Sequence, residues 1–256
     1  MYLFLKAWEK AREFGGETTE MNICEQRGLN PSTLRTTWEA KNQLKELLIS
    51  QGFPEECMGA EISYKFHGDD PRLDTVIGIL ALGLYPNVCM HKEKRKVLTT
   101  EAKAALIHKS SVNMSREAIS FPSPFFVFGE KIRTKAVSCK QMTMVTPLHL
   151  MLFASRKVEM LHSGIIRVDN WINFDMDPYQ AAIICALRPA IETLVTAAAS
   201  MPDSDITKKA NESVILCLRE ICRVNASIYH GSTEDEKPCI SVDDGQPSIK
   251  RGNYLV

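Results

Sequence analysis

The chain lacks the features that mark several broad classes of protein. Lys+Arg and Asp+Glu both total 31 in its 256 residues, so the formal net charge is zero and bulk charge alone would not hold it on a nucleic acid. No window reaches the ~18–20 uninterrupted apolar residues that a membrane span needs, because Arg188, Pro189 and Glu192 interrupt the most apolar one. Charged residues also follow the N-terminal MYLFL too closely for a secretory signal. We therefore expect a globular chain with no membrane partner.

The sequence also lacks the short motifs that identify common enzymes. It contains no GxxxxGK(S/T) phosphate loop, no GxGxxG, no HExxH and no GxSxG. The eight cysteines form no CxxC pair and stand mostly in apolar segments, so we interpret them as reduced, mostly buried thiols. A cysteine and a histidine that meet only in the folded chain stay an open alternative. The pattern favours a chain with no catalytic residue, no metal site and no cofactor of its own.

The N-terminal third reads as short helices. The first predicted helix follows an apolar stripe that ends at Gly15-Gly16. The second has Asn30 as its N-cap and Pro31 at its first position. A third is expected between Asp70-Pro71 and Tyr85-Pro86. Together they predict a small helical module over residues 1–86.

From Asn87 the pattern changes to short β-prone runs separated by turn-like or charged residues. Five or six such runs in about 60 residues predict a small closed barrel rather than an open sheet, over residues 87–175. The predicted strands are Val88–Met90, Lys96–Leu98, Ala105–Ile107, Phe125–Phe128, Ile132–Ser138, Met142–Val145 and Ile165–Ile172.

Two helices and a polar tail are expected after the barrel. Apolar spacing predicts an amphipathic helix at Pro178–Ser200 and a weaker one at Thr207–Arg223, within a segment 176–228. The polar, turn-rich residues 229–256 predict a disordered tail. The predicted fold class is therefore α+β: a small helical module, a barrel and C-terminal helices. The wide apolar face of the 178–200 helix indicates a surface that packs on other domains or on the barrel.

A local group of basic residues stands out in this neutral chain. Between His91 and Lys109, six lysines and arginines face two glutamates. The predicted turn with Lys94, Arg95 and Lys96 would project cations from one end of the barrel, as a surface that follows RNA phosphates requires. A solvated hairpin turn accounts for the same residues equally well. The KEKRK string also matches a nuclear localisation signal, but its strand–turn–strand setting makes that the weaker interpretation.

A second candidate RNA contact follows the predicted strand that ends at Ile107. His108 can stack on a base or hydrogen-bond to it, Lys109 can neutralise a phosphate, and Ser110 can bond a phosphate or a 2′-hydroxyl. A lone histidine beside an apolar strand is more often structural, so both interpretations stay open for His108.

A third group of cations lies further along the barrel. Lys131, Arg133 and Lys135 alternate with Ile132, Thr134 and Ala136, and this spacing places the three cations on one face of a strand. That face is either an RNA-binding stripe or a solvated barrel surface, and solvation is favoured for Lys135. The nearby aromatic residues are interpreted as barrel core rather than as a base-stacking platform: Phe125, Phe126 and Phe128.

Three motifs carry a resemblance to a known family. They stand as GLYPNV at Gly83–Val88, HKSSV at His108–Val112 and PSPFFVF at Pro122–Phe128. With LNPSTLRTTWEAKNQLKELL upstream, they resemble the C-terminal accessory region of DEAH/RHA-type ATP-dependent RNA helicases, and within that family the RNA helicase A (maleless) type. The resemblance covers about residues 1–200. It implies the end of a helicase-associated ratchet module, then an OB-like fold and C-terminal helices, with the 108–110 loop facing the RNA channel.

The resemblance also implies partners, cofactors and a cellular setting. The expected partner is RNA, single-stranded or released from structured duplexes, and RecA-like domains in cis would bind ATP and Mg²⁺ and hydrolyse the ATP. A nuclear location, with some presence in the cytoplasm, is expected. Because this chain lacks RecA-like domains, it is either a fragment of a longer helicase, which its start inside the ratchet module favours, or a motorless relative. A motorless relative could instead be a protein-interaction module that binds helicase partners or competes with the full-length helicase.

Overall fold

A computed structural model describes residues 2–59, 70–101, 103–114, 120–161, 164–203, 205–228, 240–243 and 246–249. The chain forms two compact units. The first unit contains Met1–Ile62 and Ala199–Ser204, and the second contains Ser63–Ala198 and Asp205–Val256. The predicted division at residue 86 does not coincide with these units, because helix Pro71–Leu84 lies in the second.

The first unit is built from three helices: α1 (Tyr2–Arg27), α2 (Pro31–Ser50) and α3 (Glu55–Gly59). The predicted interruption of the first helix at Gly15-Gly16 is confirmed, because Gly16 has the non-helical angles φ 63° and ψ −160°. A second helical segment follows directly and continues to Arg27, so α1 is two helices joined by a kink. The predicted start of α2 is confirmed, because the Asn30 side chain accepts a hydrogen bond from the backbone N–H of Thr33 at 3.0 Å.

The second unit contains the predicted closed barrel. Its strands are β1 (Val88–Glu93), β2 (Lys96–Thr99), β3 (Ala104–Ile107), β4 (Phe125–Arg133) and β5 (Val137–Val145), in the order β1-β2-β3-β5-β4. Neighbouring strands are antiparallel except β3 and β5, which are parallel. The interior is filled by side chains from every strand: Cys89, Val97, Ala105, Ile107, Phe126, Phe128, Cys139 and Met142. The expected α+β class and OB-like fold are confirmed.

One predicted barrel strand is wrong. The run Ile132–Ser138 is the end of β4, a turn at Thr134–Ala136 and the start of β5. Antiparallel pairing continues to Arg133 and Val137, so the chain reverses within the predicted strand. Lys135 therefore lies in a turn. The prediction that it continues the alternation of Lys131 and Arg133 along one strand is wrong.

A second sheet follows the short helix α5 (Pro147–Leu152), with strands β6 (Val158–Met160), β7 (Ile165–Val168) and β8 (Ile172–Asp175). The single strand predicted at Ile165–Ile172 is wrong, because Asp169 and Asn170 have positive φ angles of 50° and 56° and form a turn between β7 and β8. Two strands of the predicted tail, β9 (Ile240–Asp243) and β10 (Gln246–Ile249), extend this sheet next to β8. The rest of that tail lies outside the described residues.

Three helices of the second unit pack around a shared apolar core: α4 (Pro71–Leu84), α6 (Pro178–Ser200) and α7 (Glu212–Ser227). The predicted Pro178–Ser200 helix is confirmed. By length and composition alone α6 is apolar enough to cross a membrane, yet it buries Ala181, Ile184 and Ile191 in this core and Leu194 beside it. Its Arg188 also donates to the carbonyl oxygen of Met151 at 2.6 Å and to the Ser155 hydroxyl at 2.8 Å. The apolar face of α6, which the sequence predicted to pack on other domains or on the barrel, thus packs largely within the second unit.

Candidate nucleic-acid interface

The barrel segment is strongly basic although the chain is neutral. Residues 88–145 contain eleven Lys or Arg and four Glu, a net charge of +7, so the rest of the chain carries −7. A basic domain surface of this kind is the electrostatic footprint of nucleic-acid binding. The cations lie mainly in the turns and at the strand ends of the barrel, since the strand interiors supply its apolar core.

The β1–β2 turn holds the first group of predicted contacts in a fixed geometry. Lys94 is exposed with φ 49°, and its carbonyl oxygen lies 2.9 Å from Nε2 of His91. The Arg95 guanidinium donates to the carbonyl oxygen of Ile107 at 3.1 Å, while the Ile107 N–H donates to the carbonyl oxygen of Arg95 at 2.8 Å. Lys96 pairs with Glu93 at 2.6 Å. Lys94 is thus the exposed cation of this turn that has neither an ion pair nor a backbone acceptor among the described residues.

The turn at 108–110 holds the second group. The His108 N–H donates to the carbonyl oxygen of Cys139 at 3.0 Å, which ties the turn to β5. Nδ1 of His108 accepts from the Ser110 N–H at 3.2 Å and lies 2.7 Å from the Ser110 hydroxyl oxygen. Because a backbone N–H can only donate, the neutral imidazole must carry its proton on Nε2. Nε2 makes no hydrogen bond to a described residue, and Lys109 beside it is exposed.

The structure brings these two turns together. Arg95 bonds to Ile107, the residue before His108, so the guanidinium lies directly beside the start of the second turn. Lys131 and Arg133 lie further round the barrel, on β4. Lys131 is paired across the strands with Cys139, whose carbonyl oxygen also holds His108. The predicted contacts therefore lie around the β1–β2 turn, after β3 and on β4, and β5, which carries none of them, lies between β3 and β4.

Carboxylates partly neutralise the positive charge around these predicted contacts. Glu93 pairs with Lys96, and the hydrogen bond to that ammonium group lowers the pKa of Glu93. Glu101 is shared by Lys103 at 3.3 Å and Lys131 at 3.5 Å, and these cations lower the pKa of Glu101. Both glutamates therefore stay ionised near neutral pH and offset part of the positive charge.

Other cations of the barrel are exposed and have no carboxylate partner among the described residues, so their charge is available to a ligand. Among the predicted contacts in the described part of the chain these are Lys94, Lys109 and Arg133, each exposed and without an ion pair to a described residue. Lys131 is different, because its Nζ lies 5.7 Å from the centroid of the Phe128 ring and its stem covers the end of the barrel core.

An aromatic pair beside the first turn was not predicted from the sequence. The half-buried Phe121 ring lies edge-on to His91, with centroids 5.0 Å apart, and edge-on to the buried Phe126 at 4.9 Å. No local pattern signals it, because Phe121 and His91 are 30 residues apart in the sequence. By contrast Phe125, Phe126 and Phe128 are buried at 0–1% exposure, which confirms that they are core.

The described residues contain no cluster of potential metal ligands. No group of three or more His, Cys, Asp or Glu side chains in the described ranges lies close enough to hold a metal. The sequence has no glycine-rich phosphate loop.

Comparison with known proteins agrees with this fold. Residues 76–157 match the family described as "Oligonucleotide/oligosaccharide-binding (OB)-fold". The chain is 27% identical to DExH-box ATP-dependent RNA helicase DExH1 of Arabidopsis thaliana over 223 residues, which are 86% of this chain and 22% of the relative. It is 25% identical over 228 residues to ATP-dependent RNA helicase DHX29 of Mus musculus, covering 84% of this chain and 16% of the relative. It is also 25% identical over 232 residues to ATP-dependent DNA/RNA helicase DHX36 of Mus musculus, covering 85% and 22%.

The similarity covers most of this chain but only part of each relative. It extends over most of this chain, whereas the chain spans about a fifth of the length of the curated relatives it matches. The narrower likeness to the RNA helicase A type stays a prediction. The chain is thus similar over most of its length to DExH/DEAH-box RNA helicases, and its barrel matches the OB-fold family.

Proposed function

We propose that the barrel binds single-stranded RNA through the surface formed by the β1–β2 turn and the 108–110 turn. The observation that carries this proposal is the contact between the two turns, made by the bond from Arg95 to Ile107, so that the turn with exposed Lys94 lies next to the turn with His108 and exposed Lys109. The net charge of +7 in the barrel segment supports it, because phosphate contacts supply most of the affinity for a nucleic acid.

Each predicted contact has a distinct role in this proposal. Lys94 and Lys109 neutralise phosphates, and Arg133 extends the track along β4. His108 donates from Nε2 to an acceptor on a base or ribose, which are accessible in single strands. Ser110 positions His108, since its N–H and hydroxyl are both engaged with Nδ1. Arg95 holds the two turns together through its bond to Ile107 and is not a main contact to the RNA in this proposal.

The wider role rests on the relatives. Two of them are named as ATP-dependent RNA helicases and one as an ATP-dependent DNA/RNA helicase. We infer that the chain guides RNA toward or away from a helicase motor whose RecA-like domains hold ATP and Mg²⁺ in cis, in the nucleus and also in the cytoplasm. An immunoblot against residues 230–256 tests this context. A band far above 28.8 kDa supports an attached motor, and a band at that mass contradicts it.

Fluorescence anisotropy with a labelled oligouridine RNA tests the binding surface. Titrations of the full chain from about 50 to 200 mM salt give the slope of log K against log salt, and each lost phosphate contact should reduce its magnitude by about 0.7. We expect that reduction, with weaker binding, for Lys109→Ala and Lys94→Ala. Lys157→Ala is the matched control, because Lys157 is exposed outside the barrel and pairs with Glu159 at 2.6 Å.

The same assay separates the role of His108. His108→Phe should weaken binding while the salt slope stays that of the wild type, because the lost contact is a hydrogen bond and not a phosphate pair. Equal slopes for Lys109→Ala, Lys94→Ala and Lys157→Ala would sink the proposed surface. Binding that shows no dependence on salt at all would do the same.

A further inference from the structure

A second surface of the second unit has no part in the RNA proposal. Helices α4, α6 and α7 enclose an open cavity of about 330 Å³. Its lining is almost wholly apolar, with Ile79 of α4, Leu194 of α6 and Leu218 of α7 on its three sides. The volume lies at the lower end of the range for ligand and anchor-residue pockets.

Exposed apolar side chains continue from this cavity along α4. Ile79 lines the cavity and is still 48% exposed, and its neighbours Val76 and Leu80 are 46% and 40% exposed. These positions have the i, i+3, i+4 spacing of one helix face. On α7, Leu216 beside the lining residue Ile215 is 50% exposed. The apolar surface is therefore larger than the cavity and extends over two helices.

The charged side chains at the rim are cationic. Arg72 and Arg219 are the two charged residues in the lining. Arg72 is paired with Asp70 at 2.9 Å. Arg219 is exposed and has no ion pair with a described residue. Asp205 precedes the lining residues Ile206 and Thr207, accepts hydrogen bonds from Thr207 and keeps its negative charge, but it is not among the described lining residues. Within the described lining, Arg219 is thus the charged residue without an ion pair to a described residue.

We propose that this cavity and the exposed face of α4 bind an amphipathic helical segment of a partner protein, with an apolar anchor in the cavity and an acidic side chain on Arg219. Peptide helices that dock in grooves present apolar residues at i, i+3, i+4 and i+7 on one face, so that one residue can enter the cavity while its neighbours cover the exposed side chains of α4. The charge complement selects an acidic rather than a basic segment.

Two other kinds of occupant fit less well. RNA would need aromatic faces and several cations, but the single aromatic ring in the lining, Phe153, is only 5% exposed. A small amphiphile would fill the cavity but leave the exposed residues of α4 uncovered. A protein segment covers both parts of the surface.

Selection from a random peptide library on phage, with peptides of about 12 residues or three helical turns, tests the proposal on the full chain. Ala198→Trp fills the cavity from its own lining and serves for counter-selection, after circular dichroism shows that it folds. We expect a consensus with apolar residues at helical spacing and at least one Asp or Glu. No enriched consensus, or a basic one, would overturn the proposal.

The charge on Arg219 gives a second variant that does not disturb the core. A synthetic consensus peptide should bind Arg219→Glu about fivefold more weakly than wild type. Replacing its acidic residue by Lys should reverse that preference. Arg223→Glu is the matched control, since Arg223 lies on the same helix, outside the lining, and pairs with Glu220 at 2.8 Å. Equal effects of the two charge reversals, or competition by oligouridine RNA, would also overturn the proposal.

Discussion

A buried polar network joins three helices of the second unit, and Asp74 is at its centre. Asp74, His149 and Asn225 are 1–2% exposed and come from α4, α5 and α7. One carboxylate oxygen of Asp74 lies 3.1 Å from Nε2 of His149, and the Asn225 amide donates to both oxygens at 2.9 and 3.1 Å. The Thr146 N–H donates to Nδ1 of His149 at 3.2 Å, so a neutral His149 carries its proton on Nε2 and donates it to Asp74.

Asp74→Ala should therefore destabilise the second unit strongly. The change leaves the buried Asn225 amide without its carboxylate acceptor, whereas the His149 Nε2–H still has the backbone carbonyl oxygen of residue 74 at 3.2 Å. An unsatisfied buried donor costs about 1–3 kcal/mol. We therefore expect a loss of about 2 kcal/mol in the free energy of unfolding. That is a large share of the about 5–15 kcal/mol that stabilises a typical domain.

Pulse-labelling hydrogen–deuterium exchange across a urea series measures this loss. With a dependence of about 2 kcal/mol per molar urea, the midpoint for peptides from α4, α5 and α7 should fall by about 1 M. Peptides from α2 are an internal reference, because the network lies wholly in the second unit.

The control makes the same change at an exposed helix cap. Asp177 accepts from the N–H groups of Tyr179 and Gln180 at the start of α6, at 2.9 and 3.3 Å. Asp177→Ala should cost only about 1 kcal/mol. If Asp74→Ala shifts the midpoint no more than Asp177→Ala, the network does not contribute as its geometry indicates.

Two further predictions concern proton equilibria and thiol reactivity. Burial, and then the hydrogen bond that Tyr85 donates to Asp169 at 2.5 Å, raise the pKa of Tyr85 to about 12. Because this is above the ordinary value of 10.0, the stability that the hydroxyl contributes is complete below pH 10 and is lost as the pH rises through 12. The stability difference between wild type and Tyr85→Phe should shrink over that interval in urea titrations, and a constant difference would contradict it. A maleimide should label the exposed Cys57 and Cys217 in the native chain. Cys222 should react only after unfolding, because burial raises its pKa to about 12. Peptide mass spectrometry distinguishes the sites, and early labelling of Cys222 would refute its burial.

The candidate interface was predictable in its residues more than in its geometry. The cation-rich turns and the HKSSV motif stand in the sequence, because turn residues and charge runs are local features. The bond from Arg95 to Ile107 and the two bonds from Ser110 to Nδ1 of His108 were not predictable. They depend on strand register and on side-chain rotamers. The structure removes Lys135 from the strand face. Ser110 stays a predicted RNA contact, and our proposal that it positions His108 rests on its two bonds to Nδ1.

Local chemistry determined where several elements begin. Asn30-Pro31 and Asp70-Pro71 start α2 and α4 because a side-chain acceptor and a proline satisfy the first turn without help from distant residues. Alternating apolar residues likewise determined most barrel strands. The same reasoning failed at Ile132–Ser138, because alternation continues in sequence through a turn that only the pairing of β4 with β5 defines.

The tertiary structure alone decided which distant residues meet. Asp74 lies 75 residues from His149 and 151 from Asn225, and no spacing rule connects them. The same holds for the apolar surface, which the sequence placed on α6 and the structure places on α4, because burial depends on which helix face meets the core. The sequence by itself thus determined helix starts, most strands and the positive charge of the barrel, since these depend on neighbouring residues. Contacts between elements required the folded chain, because register and packing are properties of the whole unit.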